Sequence, residues 1–200
     1  METKTLKLNC EKNGFEFVSA KTKQEALEIA KGYITKGSSV GLGGSVSVEE
    51  IGLLEYLSNS KDITLFNQYE EGITKEENAK RRKEGLTADI YVTSTNALTR
   101  KGELVNADGS GNRVAAQIFG SKKLLLIVGK NKIVRDVAAG FERIKNVAAV
   151  KNADRLNQKA LTFGKEPNYT PKDISQKYGI IVSETPGRIV IIFVDEALGY

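Results

Sequence analysis

Histidine is absent from this chain of 200 residues, and its absence limits the chemistry that the protein can perform. Histidine is the commonest general base near neutral pH and the commonest metal ligand in proteins. Without it, Ser-His-Asp catalysis and zinc sites built from Cys and His are excluded. A catalytic group must therefore be Asp, Glu, Lys, Arg, Tyr, a backbone amide or part of a bound ligand.

Cysteine is almost absent as well, since Cys10 is the only one. One cysteine allows no internal disulfide, which is typical of a protein in a reducing cytosol. It also cannot hold an iron–sulfur cluster or a cysteine-based zinc ion. We therefore expect no iron–sulfur or zinc cofactor from this chain. No carboxylate motif for another metal is present, and the identity of any other cofactor is open.

Long apolar runs are missing too. The longest, at 124–128 and 189–194, have the length of strands rather than of membrane-spanning helices. The first ten residues lack the apolar core of a signal peptide. We therefore expect a cytoplasmic protein that has no membrane partner.

The net charge of +5 raises the question of nucleic-acid binding. The basic run at 80–83 is flanked by glutamates, and no aromatic residue lies between its charges. A surface that stacks on bases needs such aromatic residues. We interpret the run as the solvated face of a helix and expect no nucleic-acid partner.

Helix and strand signals alternate along the chain. Capping boxes that start at Thr22, Ser47 and Thr74 predict the N-termini of three helices. Short segments rich in strand-forming residues lie at 14–18, 39–43, 63–66, 89–94, 123–129 and 188–195. Several are continuously apolar, as in strands that are covered on both faces. The pattern predicts an α/β fold with a mostly parallel sheet and helices on both faces.

We predict a single domain that spans residues 1–200. Its least regular part is 152–187, which contains all three prolines and shows no sustained apolar period. We therefore expect an irregular excursion before the final strand, with a short helix near 172–178.

A glycine-rich turn, GLGGSV at 41–46, lies between a predicted strand and a predicted helix. Glycines let a backbone approach a ligand closely, and a helix N-terminus attracts anions. Because Val46 is at the sixth position, the turn is not the GxGxxG fingerprint, and the Gly-Lys-Ser/Thr of a P-loop is missing. Two interpretations stay open: an anion-binding turn for another ligand, or close strand–helix packing alone.

A second glycine turn, NADGSGNR at 106–113, precedes an apolar helix. Asn112 is placed to cap that helix, and Arg113 would fall in its first turn, where a cation opposes the helix dipole. A bound anion or an acidic partner across a cleft would explain Arg113, and an exposed side chain is the alternative. Thr95 and Asn96 follow a strand, where open α/β sheets place ligand contacts. We therefore predict a pocket formed by both turns and this strand end.

Three long segments, at 40–57, 88–120 and 123–157, resemble the lactate-utilization (LUD) domain family. The likeness is to the short, single-domain members, which are similar to but smaller than the C subunit of the bacterial lactate-oxidation complex. It covers about residues 1–157 and resumes at 187–200. The resemblance implies a fold like that of the NagB, RpiA and CoA-transferase proteins.

The resemblance also implies a ligand site. In that superfamily, the glycine turn after an early strand holds phosphate or CoA-type ligands, which points to Gly43, Gly44 and Ser45. The second turn is similar to the loop that completes the pocket in sugar-phosphate isomerases. Its implied ligand-binding residues are Asn106, Asp108, Gly109, Gly111, Asn112 and Arg113.

The function implied by the resemblance is that of an accessory component of lactate or organic-acid oxidation that binds a small anionic ligand. Implied partners are iron–sulfur oxidoreductase subunits of such a complex, or further copies of this chain. Many short relatives carry a cysteine-rich stretch before the last strand. Residues 159–182 contain no cysteine, which argues against a redox role that depends on a cluster.

The superfamily suggests an alternative, an enzyme of the CoA-transferase or sugar-phosphate-isomerase type that acts on a phosphorylated or CoA-linked substrate. Asp108 or Glu103 would then be the catalytic base or nucleophile. The amides at 43–45 and Arg113 would stabilise negative charge. A purely structural assembly subunit is the third possibility.

Overall fold

A computed structural model describes residues 3–200 of the protein. Its strands are β1 (Glu16–Ala20), β2 (Ser39–Leu42), β3 (Thr64–Phe66), β4 (Ile90–Thr93), β5 (Ala97–Thr99), β6 (Leu104–Asp108), β7 (Lys123–Gly129), β8 (Ile133–Val134), β9 (Lys177–Ile181) and β10 (Ile189–Val194). Its helices are α1 (Thr3–Lys12), α2 (Lys23–Tyr33), α3 (Val46–Glu50), α4 (Leu53–Asn59), α5 (Lys75–Leu86), α6 (Asn112–Phe119), α7 (Val137–Arg143), α8 (Ala149–Thr162) and α9 (Pro171–Ile174). A 3-10 turn covers Lys130–Lys132, and a π-helical stretch, Ile144–Ala148, joins α7 to α8.

The main sheet has six strands in the order β1-β10-β7-β4-β2-β3, and every neighbouring pair is parallel. Each of these strands overlaps one of the six segments that the sequence predicts. The predicted α/β fold with a parallel sheet is therefore confirmed.

The continuously apolar strands have a core on each face. In β7, Leu125 and Ile127 point into one core, whereas Leu124, Leu126 and Val128 point into the other. All five side chains have no exposed surface. The first core is covered by α2, α3 and α4, and the second by α1, α6 and a smaller sheet. This arrangement confirms helices on both faces and explains why the strand lacks apolar–polar alternation.

The smaller sheet has the order β8-β5-β6-β9, and β6 pairs antiparallel with both of its neighbours. The sequence analysis does not predict this sheet. Strands β5 and β8 have only three and two residues, which is too short to show a period of two.

The expectation of an irregular excursion at 152–187 is wrong for much of that segment. Helix α8 continues to Thr162, and β9 pairs with β6 over five residues. The apolar side of α8 is made of small residues, with Ala149 and Ala153 buried one turn apart, so it gives a weak periodic signal. The predicted short helix is Pro171–Ile174, which ends before the predicted Tyr178 because β9 begins at Lys177.

The helix N-termini predicted at Thr22 and Thr74 are confirmed, because the hydroxyls of these residues accept hydrogen bonds from backbone amides of α2 and α5. The reciprocal half of each box is not formed as predicted, since the Glu25 carboxylate accepts from the Lys21 amide and Glu77 accepts from Arg81. The third is wrong. Ser45, not Ser47, caps α3, and its hydroxyl accepts from the Val48 amide at 3.3 Å. Ser47 is fully buried inside the helix, and its hydroxyl is used in tertiary contacts.

Gly41 in β2 allows helix α5 to pack directly on the sheet. A Cβ atom at Gly41 would lie 2.3 Å from the carbonyl oxygen of Gly85 in α5. Gly41 does not have a positive φ, so the position requires glycine for space and not for conformation. Close packing therefore explains the first glycine of the 41–46 turn.

We expect Gly41→Ala to destabilise the protein by about 1–3 kcal/mol, because the new methyl group forces two backbones apart. Urea unfolding measures the free-energy change. Gly32→Ala in α2 is the matched control, since nothing lies within 4 Å of its added Cβ. Alanine is the better helix former, so the control should gain up to about 1 kcal/mol. Equal effects of the two substitutions would contradict the packing argument.

Candidate functional site

A cavity of about 550 Å³ lies at the carboxyl edge of the main sheet. Its walls include residues that follow five of the six strands: Gly44 after β2, Tyr69 after β3, Ser94 after β4, Lys132 after β7 and Tyr200 after β10. Helices α5 and α8 and the end of β6 close the other sides. Open α/β sheets bind their ligands in this position. The cavity is therefore the candidate functional site.

Eight of the twelve predicted site residues line this cavity. They are Gly44, Ser45, Thr95, Asn96, Asp108, Gly109, Asn112 and Arg113. The other four, Gly43, Glu103, Asn106 and Gly111, do not belong to its wall.

Three of the four outlying residues have structural roles. A Cβ at Gly43 would lie 2.6 Å from the Thr93 hydroxyl, so glycine is needed for packing. Gly111 has φ = 94° and starts α6 from a left-handed conformation. Asn106 is buried, and its side-chain oxygen accepts hydrogen bonds from the Thr95 hydroxyl at 3.0 Å and the Asn96 amide at 3.2 Å.

Glu103 also lies away from the cavity, in the turn between β5 and β6. Its carboxylate accepts a hydrogen bond from the Thr99 hydroxyl at 2.7 Å. Thr99 in turn accepts from the Glu103 backbone amide at 3.0 Å. The Glu103 side chain therefore stabilises the turn that contains Lys101 and Gly102. Gly102 has the positive φ that is typical of such a turn.

Asp108 caps helix α6, a role that the sequence analysis assigns to Asn112. One oxygen of the Asp108 carboxylate accepts from the amides of Arg113 at 2.8 Å and Val114 at 3.3 Å. The Asn112 side chain instead accepts a hydrogen bond from Arg82 at 2.7 Å. Two of the free amides at the helix N-terminus are thus already bound by a carboxylate of the same chain.

Arg113 is held by neutral oxygen atoms. Its guanidinium donates to the Asn96 side chain at 2.9 Å and to the Ser94 carbonyl at 3.3 Å, and it also contacts the Ala107 carbonyl. None of the ion pairs within residues 3–200 includes Arg113. The side chain therefore brings an uncompensated positive charge to the cavity wall.

Four further basic residues, which the sequence analysis does not identify as site residues, line the same cavity: Arg82, Lys132, Arg155 and Lys159. Arg82 belongs to the basic run at 80–83, which we interpreted as a solvated helix face. That interpretation is wrong for Arg82, which contacts Ser110 and Asn112. The neighbouring Arg81 does lie outside the cavity, where it forms ion pairs with Glu70 and Glu77.

Arg155 is fixed by the C-terminal residue. Its Nε donates to the Tyr200 hydroxyl at 2.8 Å, and its Nη2 donates to the Asn152 side chain at 2.9 Å. Tyr200 also donates to Asn152 at 2.9 Å. Burial raises the pKa of Tyr200 above its usual value, so this hydroxyl stays protonated at neutral pH.

Tyr69 covers the glycine turn. A Cβ at Gly44 would lie 2.6 Å from the Tyr69 hydroxyl, so glycine at this position makes room for the tyrosine. The same hydroxyl accepts a hydrogen bond from Gln68 at 2.9 Å. Burial raises the pKa of Tyr69 to about 12. Tyr69 is therefore a neutral polar group of the cavity wall.

Lys132 is buried at the end of the 3-10 turn, with 2% of its surface exposed. Its Nζ donates to the hydroxyls of Ser47 and Ser94, each at 2.8 Å. Burial, together with the positive charges of Arg143 and Arg113, lowers the pKa of Lys132 well below its usual value, and Glu50 opposes this effect. A lysine buried without a carboxylate partner is unusual and is commonest at functional sites.

The cavity carries an excess of positive charge. Four cationic side chains, Arg82, Arg113, Arg155 and Lys159, line it together with the buried amine of Lys132, against two carboxylates, those of Asp108 and Asp173. The Asp173 carboxylate accepts hydrogen bonds from the amide and the hydroxyl of Thr170, at 2.8 and 2.7 Å. Both carboxylates thus cap helices, and the ion pairs found within residues 3–200 include neither the four cations nor Lys132. Such a concave surface concentrates anions.

Two other kinds of site were sought in the described part of the chain. Residues 3–200 contain no group of three or more Cys, Asp or Glu side chains placed to share a metal ion. Across the same residues, no helix combines the length and the apolar character that crossing a membrane requires.

The fold and the cavity define a class of protein: an open α/β sheet whose strands end at a positively charged cavity. The family comparison is more specific, because the model of the LUD domain matches residues 3–194. The chain belongs to the LUD domain family. The resemblance that the sequence motifs indicate is therefore confirmed.

One solved structure shows the same fold over nearly the whole chain, and two others are similar over part of it. A DUF162 family protein from Deinococcus radiodurans is similar with a TM-score of 0.54 at 14% identity, over 96% of this chain and 95% of that one. Ribose 5-phosphate isomerase from Plasmodium falciparum is similar with a TM-score of 0.36 at 18% identity, over 64% and 66% of the two chains. The isomerase from Neisseria gonorrhoeae has the same TM-score and identity over 72% and 66%. No curated protein matches this sequence.

Asp108→Ala should lower the free energy of unfolding by about 0.5–2 kcal/mol, because α6 loses its cap. Urea unfolding measures the change. Asp154→Ala is the control, since Asp154 is an exposed residue of α8 that is not part of the cavity wall. If Asp108→Ala is as stable as the control, then Asp108 does not act as a cap.

Because its pKa is lowered by folding, Lys132 should make the free energy of unfolding rise with pH. In an unfolded chain the pKa of lysine is about 10.4, whereas burial lowers it in the folded protein. Between these two values the unfolded state binds the extra proton, so the free energy of unfolding rises with pH by up to about 1.4 kcal/mol per unit. Lys132→Met should be more stable than the wild type at neutral pH, and the difference should shrink toward about pH 10.

Urea unfolding at a series of pH values measures this difference. Lys130→Met is the matched control, because Lys130 lies on the same turn but is exposed and pairs with the exposed Asp195. Its pH dependence should follow that of the wild type. Parallel curves for the wild type and Lys132→Met would contradict the lowered pKa.

Proposed function

We propose that this protein binds a small metabolite with more than one negative charge in the cavity at the carboxyl edge of the sheet. The observation that carries the proposal is the set of four cations that line the cavity, Arg82, Arg113, Arg155 and Lys159, none of which takes part in the ion pairs found within residues 3–200. A phosphorylated or CoA-linked compound has the charge to neutralise several of them. Lactate has one carboxylate and would neutralise only one.

The size of the cavity supports a metabolite as the ligand. Small-molecule sites in proteins have volumes of about 300–1,000 Å³, and this cavity has about 550 Å³. Asn78, Asn152 and Gln68 add amide groups to the wall. Amides can donate and accept hydrogen bonds, so they suit the hydroxyl or carbonyl groups of a sugar or an organic acid.

The biological role that we propose is that of a cytoplasmic accessory component of lactate or organic-acid oxidation. Its support is the membership of the LUD domain family and the resemblance described above, and the anionic ligand would be a substrate or a regulator of that process. Iron–sulfur oxidoreductase subunits or further copies of this chain would be its partners. Co-purification from cells that grow on lactate tests the partners directly.

An enzyme that acts on a phosphorylated or CoA-linked substrate is the alternative, and Asp108 and Glu103 support it poorly. The Asp108 carboxylate is occupied by two amides of α6, and Glu103 lies outside the cavity. A catalytic base within hydrogen-bond reach of the substrate would need to face the cavity. If the protein is an enzyme, its reacting group must therefore be another side chain of the wall.

Thermal stabilisation by ligands tests the binding proposal. Pyrophosphate, sugar phosphates and CoA should raise the melting temperature in a concentration-dependent way, whereas lactate and pyruvate should do so less. Arg155→Ala should weaken the binding of the best ligand at least about tenfold, because it removes a charged hydrogen-bond donor worth about 1.5–3 kcal/mol. Added salt should weaken the binding further.

Arg135→Ala is the matched control for Arg155→Ala. Arg135 is exposed, lies outside the cavity and pairs with Asp136. Its loss should leave the ligand affinity unchanged. Stabilisation that is equally strong in both variants would place the ligand elsewhere on the protein, and no stabilisation by any anion would reject the proposal.

A further inference from the structure

The hydrogen bonds around Lys132 leave its amine with a free lone pair. The Ser47 hydroxyl gives its proton to the Leu198 carbonyl, at 3.3 Å, and the Ser94 hydroxyl gives its proton to the Ile127 carbonyl. Each hydroxyl has one proton, so toward Lys132 both can only accept. A neutral amine has two N–H groups, and these match the two serine oxygens at 2.8 Å.

A protonated amine would fit this surrounding less well. It has three N–H groups, and within residues 3–200 the Lys132 amine has the two serine hydroxyls as its hydrogen-bond partners. The side chain belongs to the cavity wall, although only 2% of its surface is exposed. The lone pair of the neutral amine is thus the one position on this nitrogen that is left for a ligand in the cavity.

We propose that Lys132 is a nucleophile that forms an imine with the carbonyl carbon of an anionic aldehyde or ketone bound in the cavity. The anionic part of this substrate class rests on the proposed function. Neutral buried lysines are the amines that form Schiff bases in proteins, because protonation removes the lone pair that attacks.

The step is balanced without another reactant. The lone pair of Nζ attacks the carbonyl carbon and forms the C–N bond, while the electrons of the C=O double bond move to the oxygen. A proton passes from nitrogen to that oxygen and gives a carbinolamine. Loss of the hydroxyl group together with the second nitrogen proton releases one water molecule and leaves the C=N bond.

The charges near Lys132 suit this chemistry. Arg113 donates to the backbone carbonyl of Ser94, the same residue whose hydroxyl accepts from Lys132. The positive charge of Arg113 disfavours a second positive charge on the Lys132 amine, and it attracts the phosphate or carboxylate of a substrate. The same arginine thereby favours the nucleophilic form of the lysine and the binding of the molecule that it attacks.

Lys159 provides an internal comparison. It lines the same cavity, but it is exposed, and its amine lies 6.0 Å from the centre of the Phe163 ring. Burial lowers the pKa of the Lys132 amine, which is held by two serine hydroxyls. An aldehyde that enters the cavity should therefore react with Lys132 in preference to Lys159.

Reductive trapping tests the proposal. Pyridoxal 5′-phosphate, a phosphorylated aldehyde, is incubated with the full chain at neutral pH and the imine is reduced with borohydride to a stable amine. Mass spectrometry of the intact protein and of its peptides locates the adduct. We expect Lys132 to be modified at least about tenfold faster than Lys159, since each unit by which a pKa is lowered raises the neutral fraction of an amine tenfold.

The variants make the assignment specific. Lys132→Met should lose the rapid adduct, and Lys130→Met, on the same turn but outside the cavity, should keep it. Lys132→Met should also keep the far-UV circular dichroism spectrum of the wild type and a cooperative thermal transition without ligand, which shows that the variant is folded. Modification that is confined to Lys159 or surface lysines, or that persists at the same rate in Lys132→Met, would overturn the proposal.

Competition separates this proposal from the proposed function. Pyrophosphate should protect Lys132 from pyridoxal 5′-phosphate, and pyridoxal, which lacks the phosphate, should react more slowly. Pyrophosphate stabilisation without trapping at Lys132 would overturn the nucleophile and leave anion binding in place. Trapping at Lys132 that pyridoxal matches and pyrophosphate does not slow would support the nucleophile and overturn the anionic cavity.

Discussion

Parallel pairing of six strands brings all of their carboxyl ends to one edge of the sheet, and the candidate site depends on this constraint. Residues that are far apart in the sequence, such as Gly44, Ser94 and Lys132, become neighbours because each follows a strand. The buried Lys132 amine then joins α3 to the end of β4 through two hydroxyls. The site thus follows from the topology, and the side chains at the strand ends decide its chemistry.

The basic side chains of the cavity are oriented by neutral groups. Carbonyl and amide oxygens hold Arg113, a tyrosine and an asparagine hold Arg155, and two serines hold Lys132. Carboxylates in those positions would fix the same geometry but cancel the charge. Neutral partners fix the side chains and leave the electrostatic attraction for a ligand, at a cost in stability from mutual repulsion of the cations. This division resembles the preorganisation found in many binding sites.

The main sheet could be predicted from the sequence, because its strands are strongly apolar and separated by capped helices. The small sheet could not, since β5 and β8 are shorter than the period that would reveal them. Thr95, Asn96 and Arg113 could be assigned to a pocket because they follow a strand or a glycine turn. Arg155 and Lys159 could not, because α8 lies in and beside a segment without a clear apolar period. The role of Lys132 could not be predicted from the sequence either. Its amine is buried against Ser47 and Ser94, which lie more than 30 residues away along the chain.

The position of β10 in the sheet also determines when the sheet can be completed during synthesis of the chain. β10 is synthesised after all the other strands of the sheet, yet it lies between β1 and β7 and is the partner that joins β1 to the rest of the sheet. Among the residues that follow it, Leu198 accepts a hydrogen bond from Ser47, and Tyr200 accepts one from Arg155 in the cavity wall. Until residues 189–200 have been synthesised, β1 and β7 therefore each keep an edge without its partner. Pairing of β10 closes the sheet and allows the wall of the cavity to be completed, so a chain that stops before β10 would lack both.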